Sequence, residues 1–246
     1  MTSFLLVSTR PEEEAIEAEY SAFLSVSGLE EQELEQVRLD MLGLPEIDVR
    51  AYSGIIVAGS PFGATTLDDF KTPSQRRVET ELRHLLADIL EAGAPCLTTG
   101  YGTEIATVLM GGSMSTECAE ESQLVEILLT ADGIADPLLE DFPRTFPTFV
   151  NHREAVSSLP PGATVLAKSI TCPAQIVKFA ENFYATQFNP ELDSDLISDA
   201  LQRWEDAGYP GTDDVDYLVV IGREGRGRHQ AGRVVANFVN RYRSTS

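Results

Sequence analysis

The sequence predicts an α/β fold organised around a mostly parallel central sheet, on three observations. Short apolar, β-branched runs such as FLLVS (Phe4–Ser8) and GIIVA (Gly54–Ala58) alternate with longer stretches of helical periodicity, the pattern of strand–helix–strand units. Two of the runs end in glycine-rich turns, GSPFG (59–63) and TGYGT (99–103), where a chain can bend sharply out of a strand. The 246 residues are 43% hydrophobic and show no repeat, linker or break in composition, so one core and a single domain over residues 1–246 are expected.

Taken in order, Phe4–Ser8 is the first strand, and Pro11 opens an acidic helix whose Ile16, Tyr20, Phe23 and Leu24 share one face. Gly54–Ala58 is a buried strand. Thr72 before Pro73 is the N-cap of a helix that turns Val78, Leu82, Leu85, Leu86 and Ile89 inward and stops at Gly93. Pro95–Thr99 is the next strand, bent directly into another helix at Gly100-Tyr101-Gly102. Beyond Gly112 the pattern changes to strands at Leu124–Thr130, Thr148–Asn151, Thr164–Ser169, Ile176–Phe179 and Tyr184–Phe188, read as hairpins and returning core strands. Asp193 caps a helix through Trp204, Val215–Ile221 forms a strand, and Ala231–Tyr242 is a closing helix.

Eighteen Lys and Arg against 39 Asp and Glu leave a net charge of −21. An acidic surface of this kind repels phosphate backbones and anionic lipid, which argues against nucleic-acid and membrane partners. FLLV is too short for a signal-peptide core, and no run approaches the roughly 20 apolar residues of a membrane span. Cys96, Cys118 and Cys172 lack CxxC spacing, so neither a disulfide framework nor a zinc site is expected, and a reducing cytoplasm fits. No cofactor and no metal are implied.

A strand that breaks into a glycine-rich turn and then a helix is how many hydrolases lift a nucleophile clear of the sheet, with the helix N-terminus facing the negative charge that develops. Here the central position of the turn is Gly100. Taken alone, Gly100-Tyr101-Gly102 equally suits a plain close approach of two backbones. Three separated segments carry more. GIIVAGSPFG (54–63), APCLTTGYGTEIATVLMGG (94–112), and NHREAVSSLPPGATVLAKS (151–169) followed by YATQFNPELD (184–193) stand in this order along the chain. Together they resemble the class I glutamine amidotransferases, in particular stand-alone proteins similar to the glutaminase part of GMP synthase. The resemblance implies a three-layer α/β/α, flavodoxin-like fold.

In that family a cysteine attacks the glutamine side-chain amide, a histidine moves the proton, a glutamate orients the histidine, and backbone amides hold the oxyanion. The resemblance places the cysteine at Gly100, the histidine at Asn189 and the glutamate at Glu191; Glu104 stands where the family has Gln or Gly. It therefore implies a catalytically degenerate protein, a pseudoenzyme acting as a binding or regulatory module, with no intact catalytic set. The alternative is an active amidotransferase or hydrolase with reassigned residues in the same pocket. Gly59, Ser60, Tyr101 and Glu104 are the ligand-binding candidates. The implied partners are a glutamine-like small molecule and either a synthetase-type protein or a second copy of the chain.

Read from the residues alone, Glu191 caps or pairs near a helix start, Cys96 is a core residue, and Thr98 and Thr99 are strand residues touching the turn. His152 with Glu154 is structural rather than a base and its orienter, and neither His84 nor His229 has metal-ligand spacing. The segment Gly222–Arg233, with Arg223, Arg226, Arg228 and Arg233, is a basic island that suits either a surface loop or a contact for an anion or protein.

Overall fold

The computed structural model describes residues 3–11, 13–41, 43–192 and 229–243. Among these a nine-stranded sheet forms the centre. Its parallel half contains β1 (Phe4–Ser8), β2 (Leu34–Arg38), β3 (Gly54–Val57), β4 (Cys96–Thr99) and β11 (Phe183–Thr186). β10 (Ile176–Ala180), β9 (Thr164–Lys168), β6 (Glu120–Leu129) and β7 (Thr145–His152) extend it antiparallel. The order across the sheet is β2-β1-β3-β4-β11-β10-β9-β6-β7. It is thus mostly parallel at its centre, and the region beyond Gly112 supplies the hairpins. A small ribbon pairs β5 (Ser113–Ser115) with β8 (Ala155–Ser158).

Three layers follow from residue alternation. On β1, Leu5 and Val7 point to one face while Phe4 and Leu6 point to the other; on β3, Ile55 and Val57 oppose Ile56. The first face is covered by α2 (Pro73–Ala92) and α3 (Tyr101–Leu109) through Val78, Leu82, Leu86 and Ile105. The second is covered by α1 (Glu13–Ser27) and α5 (Gly232–Tyr242) through Phe23, Val234 and Phe238. Strands β1, β3, β4 and β11 are buried along their whole length, which is why β1 and β3 read as almost unbroken apolar runs, FLLV and GIIV. Thr72 caps α2 by accepting from Gln75 N–H, Pro73 sits in its first turn, and Gly93 ends it in a left-handed conformation.

The edges differ from expectation where local signal is weak. β2 (LEQVR), β5, β8 and the short helix α4 (Ala131–Ala135) were not expected. β6 begins four residues before the expected Leu124, because its first residue Glu120 pairs with His152. The helix expected over Asp193–Trp204, the strand Val215–Ile221 and Arg223, Arg226 and Arg228 lie outside the described residues. Among the described residues no helix is long and apolar enough to cross a membrane.

Candidate active-site pocket

A cavity of about 220 Å³ opens at the carboxyl ends of the parallel strands, the position at which open α/β sheets present loops to ligands. Arg10 follows β1, the loop Gly59–Thr66 follows β3, Gly100 follows β4, and Gln187 and Asn189 follow β11. Tyr101 and Glu104 on α3, and Asn151–Glu154 at the end of β7 and the turn into β8, complete the wall.

Gly100 is the N-cap of α3, with φ 46° and ψ −115°, a conformation that strains any residue with a Cβ. Its N–H donates to Thr186 O at 3.0 Å, and its carbonyl accepts from Thr103 N–H at 2.9 Å, so β11 and α3 both pin the turn. Thr103 Oγ1 also donates to Thr186 O at 2.8 Å and lies 3.0 Å from Thr98 Oγ1. A Cβ at position 100 would lie 3.0 Å from Asn189 Oδ1 and 3.5 Å from Gly59 Cα. A side chain there would therefore point straight at the Asn189 side chain, beside Gly59. A Cβ on Gly59 would come within 2.5 Å of Asn189 Oδ1, so glycine is required for that approach.

Two residues after Asn189, Glu191 is fully buried, and no hydrogen bond of ordinary geometry reaches either carboxylate oxygen from the described residues. Burial and then the neighbouring Glu19 raise its pKa to about 8, against the weaker pull of its own backbone N–H and Arg10. The capping or pairing expected of Glu191 is absent among the described residues: the cation beside it, Arg10, is held by Glu19 at 2.6 Å. Ser8 Oγ donates to the other Glu19 oxygen at 2.7 Å. Glu104 is pushed up to about 8 by burial first and Glu154 second; Ala64 N–H, donating at 3.0 Å, and Arg153 oppose this. Glu154 accepts from Thr65 N–H and Oγ1, the latter at 2.8 Å.

The remaining candidates divide by place. Ser60 lines the pocket and its Oγ donates to Thr9 O at 3.4 Å. His152 lines it too, but its carboxylate partner is Glu120 at 2.7 Å, and its Nδ1 faces the Glu154 carbonyl at 3.1 Å rather than the side chain. The donor atoms of Glu120, His152 and Cys172 lie within 4.8 Å of one another. Glu120 already accepts from Ser169, Thr171 and Gln175 as well, so this cluster is closed by hydrogen bonds. Those contacts outweigh burial and lower the Glu120 pKa. Cys96 is buried in β4 and its thiol pKa is raised by burial alone. Thr99 Oγ1 faces Val57 O at 3.5 Å. His84 is exposed on α2, whereas His229 Nδ1 lies 3.2 Å from Thr148 Oγ1. Arg233 donates to Asp141 O at 2.9 Å and stacks over Phe142.

Arg10, Gln75 and Gln187 line the pocket without having stood out in the sequence. A charged residue just beyond a fully buried strand, as in FLLVSTR, is the only local signal for the first.

Comparison with known proteins agrees with this architecture. The family model described as glutamine amidotransferase class-I matches residues 30–203. GMP synthase [glutamine-hydrolyzing] of Edwardsiella ictaluri is 28% identical over 146 residues, covering 57% of this chain and 25% of that protein. The chain thus spans about a quarter of the length of the curated relatives it matches. A solved structure of a glutamine amidotransferase from Thermotoga maritima shares the fold with a TM-score of 0.77 at 16% identity, covering 99% of this chain and all of that one. The solved structure of a putative GMP synthase component from Thermoplasma acidophilum has a TM-score of 0.62 at 17% identity, covering 98% and 94%. With the family model spanning well over half of the sequence, the chain belongs to the class I glutamine amidotransferase family.

Proposed function

We propose that this protein keeps the amidotransferase pocket but not glutamine hydrolysis, and serves as a binding or regulatory module for a small polar molecule of about glutamine's size. The observation that carries this reading is the pairing of Gly100 with Asn189. A Cβ at residue 100 would meet the side chain of residue 189, and Glu191, two residues further along the chain, is buried. The first of these contacts supports the reading that a thiol at 100 would meet an imidazole at 189. Glycine offers no nucleophile, and an asparagine amide has no basicity near neutral pH. The thiol and hydroxyls beside the turn are engaged elsewhere: Cys96 is sealed in β4, Thr98 is bonded to Thr103, and Ser60 Oγ donates to Thr9 O. A partner of synthetase type, or a second copy of the chain, is part of the proposal, supported by the GMP synthase relatives.

The test is ammonia release from glutamine by protein prepared through two independent purification routes. Loss of the nucleophile in a comparable hydrolase costs about 10⁶ in turnover. From an ordinary turnover of about 10 s⁻¹, about one event per day remains. Turnover above about 0.1 s⁻¹ would overturn the reading.

A further inference from the structure

A second cluster of chemically active side chains stands at one end of β6 and β7. Glu120, the first residue of β6, and His152, the last of β7, are direct cross-strand partners, so their side chains share one face. The turn from β9 to β10 brings Cys172 to the same point: Ser169 N–H donates to Cys172 O at 2.8 Å, and Cys172 N–H donates to Ser169 Oγ at 2.9 Å. One ligand atom from each of Glu120, His152 and Cys172 lies within 4.8 Å of the others, and all three residues are buried. Cys118 sits partly exposed in the turn that leads into β6. Separate elements supply these atoms, so no spacing along the chain reveals the set.

Each of these atoms has the supporting contact that metal ligands have. His152 Nδ1 faces the Glu154 carbonyl at 3.1 Å. A carbonyl only accepts, so Nδ1 carries a hydrogen, and Nε2 is turned to Glu120 Oε2 at 2.7 Å. The Glu120 carboxylate is held by Ser169 Oγ at 3.1 Å, by Thr171 Oγ1 and by Gln175 Nε2 at 2.5 Å. Burial pushes the Cys172 thiol up to about 12, opposed by a hydrogen bond from the Ala174 N–H and reinforced by Glu120 and Cys118 nearby. A plain Glu–His ion pair uses the first two sets of contacts and has no part for the sulfur or for the N–H turned towards it.

We propose that Glu120, His152 and Cys172, completed by Cys118, form a binding site for a zinc ion. Imidazole, carboxylate and thiolate together suit Zn²⁺, whereas Mg²⁺ and Ca²⁺ take oxygen ligands. Ligand atoms about 2.0–2.3 Å from a tetrahedral zinc lie about 3.3–3.8 Å from one another. The spacings here fall on either side of that, 2.7 Å between His152 Nε2 and Glu120 Oε2 and at most 4.8 Å within the set of three, so small side-chain rotations suffice. The ion takes the place of the proton shared between Nε2 and Oε2, and that proton and those of the two thiols pass to solvent. The other hydrogen bonds that close the cluster stay as supports of the ligands. Four protein ligands leave no open position, which makes the site structural. It ties β6, β7 and the β9–β10 turn together, and through the contact of Nδ1 with the Glu154 carbonyl it steadies the pocket wall. Zinc here neither requires nor excludes glutamine chemistry at Gly100.

Cobalt titration of the reduced, chelator-stripped full chain tests it. About one equivalent of Co²⁺ should give tetrahedral ligand-field bands and a thiolate charge-transfer band, and about one equivalent of Zn²⁺ should erase them. Cys172→Ser and His152→Gln should each weaken cobalt binding at least about a hundredfold, more than the loss of a supporting contact. Thermal unfolding of each variant reports whether it is folded. In the parent protein zinc should raise the Tm and slow alkylation of Cys118, so the outcome does not hang on the variants. No binding of either metal, a cobalt complex without the thiolate band, or affinity unchanged in both variants overturns the site. Alkylation of Cys118 at one rate with and without zinc overturns its place as the fourth ligand.

Discussion

Glu191 gives the sharpest handle on the pocket, because its environment makes stability depend on pH in a stated direction. Its carboxyl is raised from 4.5 to about 8, so between these values the folded protein keeps a proton that the unfolded chain has released. The contribution is present in full below pH 4.5 and is lost as pH rises to about 8, at about 1.4 kcal/mol per pH unit within that window. By pH 8 the loss amounts to about 4 kcal/mol. Glu191→Gln keeps the shape and removes the titration. The variant should lie within about 1 kcal/mol of the parent at pH 5 and exceed it by about 4 kcal/mol at pH 8, about 10 °C in Tm for a chain of this size. Glu104 acts in the same direction over the same window, but it is common to both proteins and cancels in the difference. Glu13, Glu33 and Glu120 are shifted downward, so their contributions are lost only as pH falls below the ordinary carboxylate range. Urea unfolding at pH 5, 6, 7 and 8 measures both curves. Parallel curves for parent and variant, or a variant less stable at pH 8, would refute the claim that burial holds this carboxyl protonated.

Three further outcomes are expected. Gly100→Cys with Asn189→His and Glu104→Gln should restore measurable glutaminase or labelling by glutamine-analogue electrophiles, whereas single changes at 100 and 189 should do little. The positive φ costs the cysteine roughly 1 kcal/mol or more, and a folded triple variant that neither reacts nor binds would falsify the retained geometry. Gly59→Ala places a Cβ against Asn189 Oδ1; it should cost about 1–3 kcal/mol in thermal or urea unfolding and displace Asn189. Cys96 should resist alkylation in the folded protein, and rapid labelling that glutamine blocks would show instead that a thiol serves the pocket.

How much of this was legible in the sequence depends on where the information lies. β1 and β3 are buried on both faces, so their residues are constrained independently of partners and read as apolar runs. β2 sits at the sheet edge with Glu35 and Arg38 partly exposed, and its pattern resembles a loop. The turn at Gly100 announces itself because only a few residue types tolerate that backbone. The Arg10–Glu19 pair and the Glu120–His152 pair are invisible by the same logic: each joins ordinary polar residues on separate elements, and no local period encodes them. The raised carboxyls of Glu104 and Glu191 belong to the same class, since burial at those positions is set by the completed fold.

The place of β11 has a kinetic consequence. It pairs parallel with β4, Phe183 against Cys96, and antiparallel with β10, so it closes the seam between the two halves of the sheet. Gln187 and Asn189 reach the pocket only once that seam is shut, and the contacts that shut it span more than eighty positions of chain. Closures of that range are slow to form. A ligand that needs Asn189 and Gln187 in place would meet only the finished sheet. It should therefore lengthen the lifetime of the native state while leaving the rate of refolding almost unchanged.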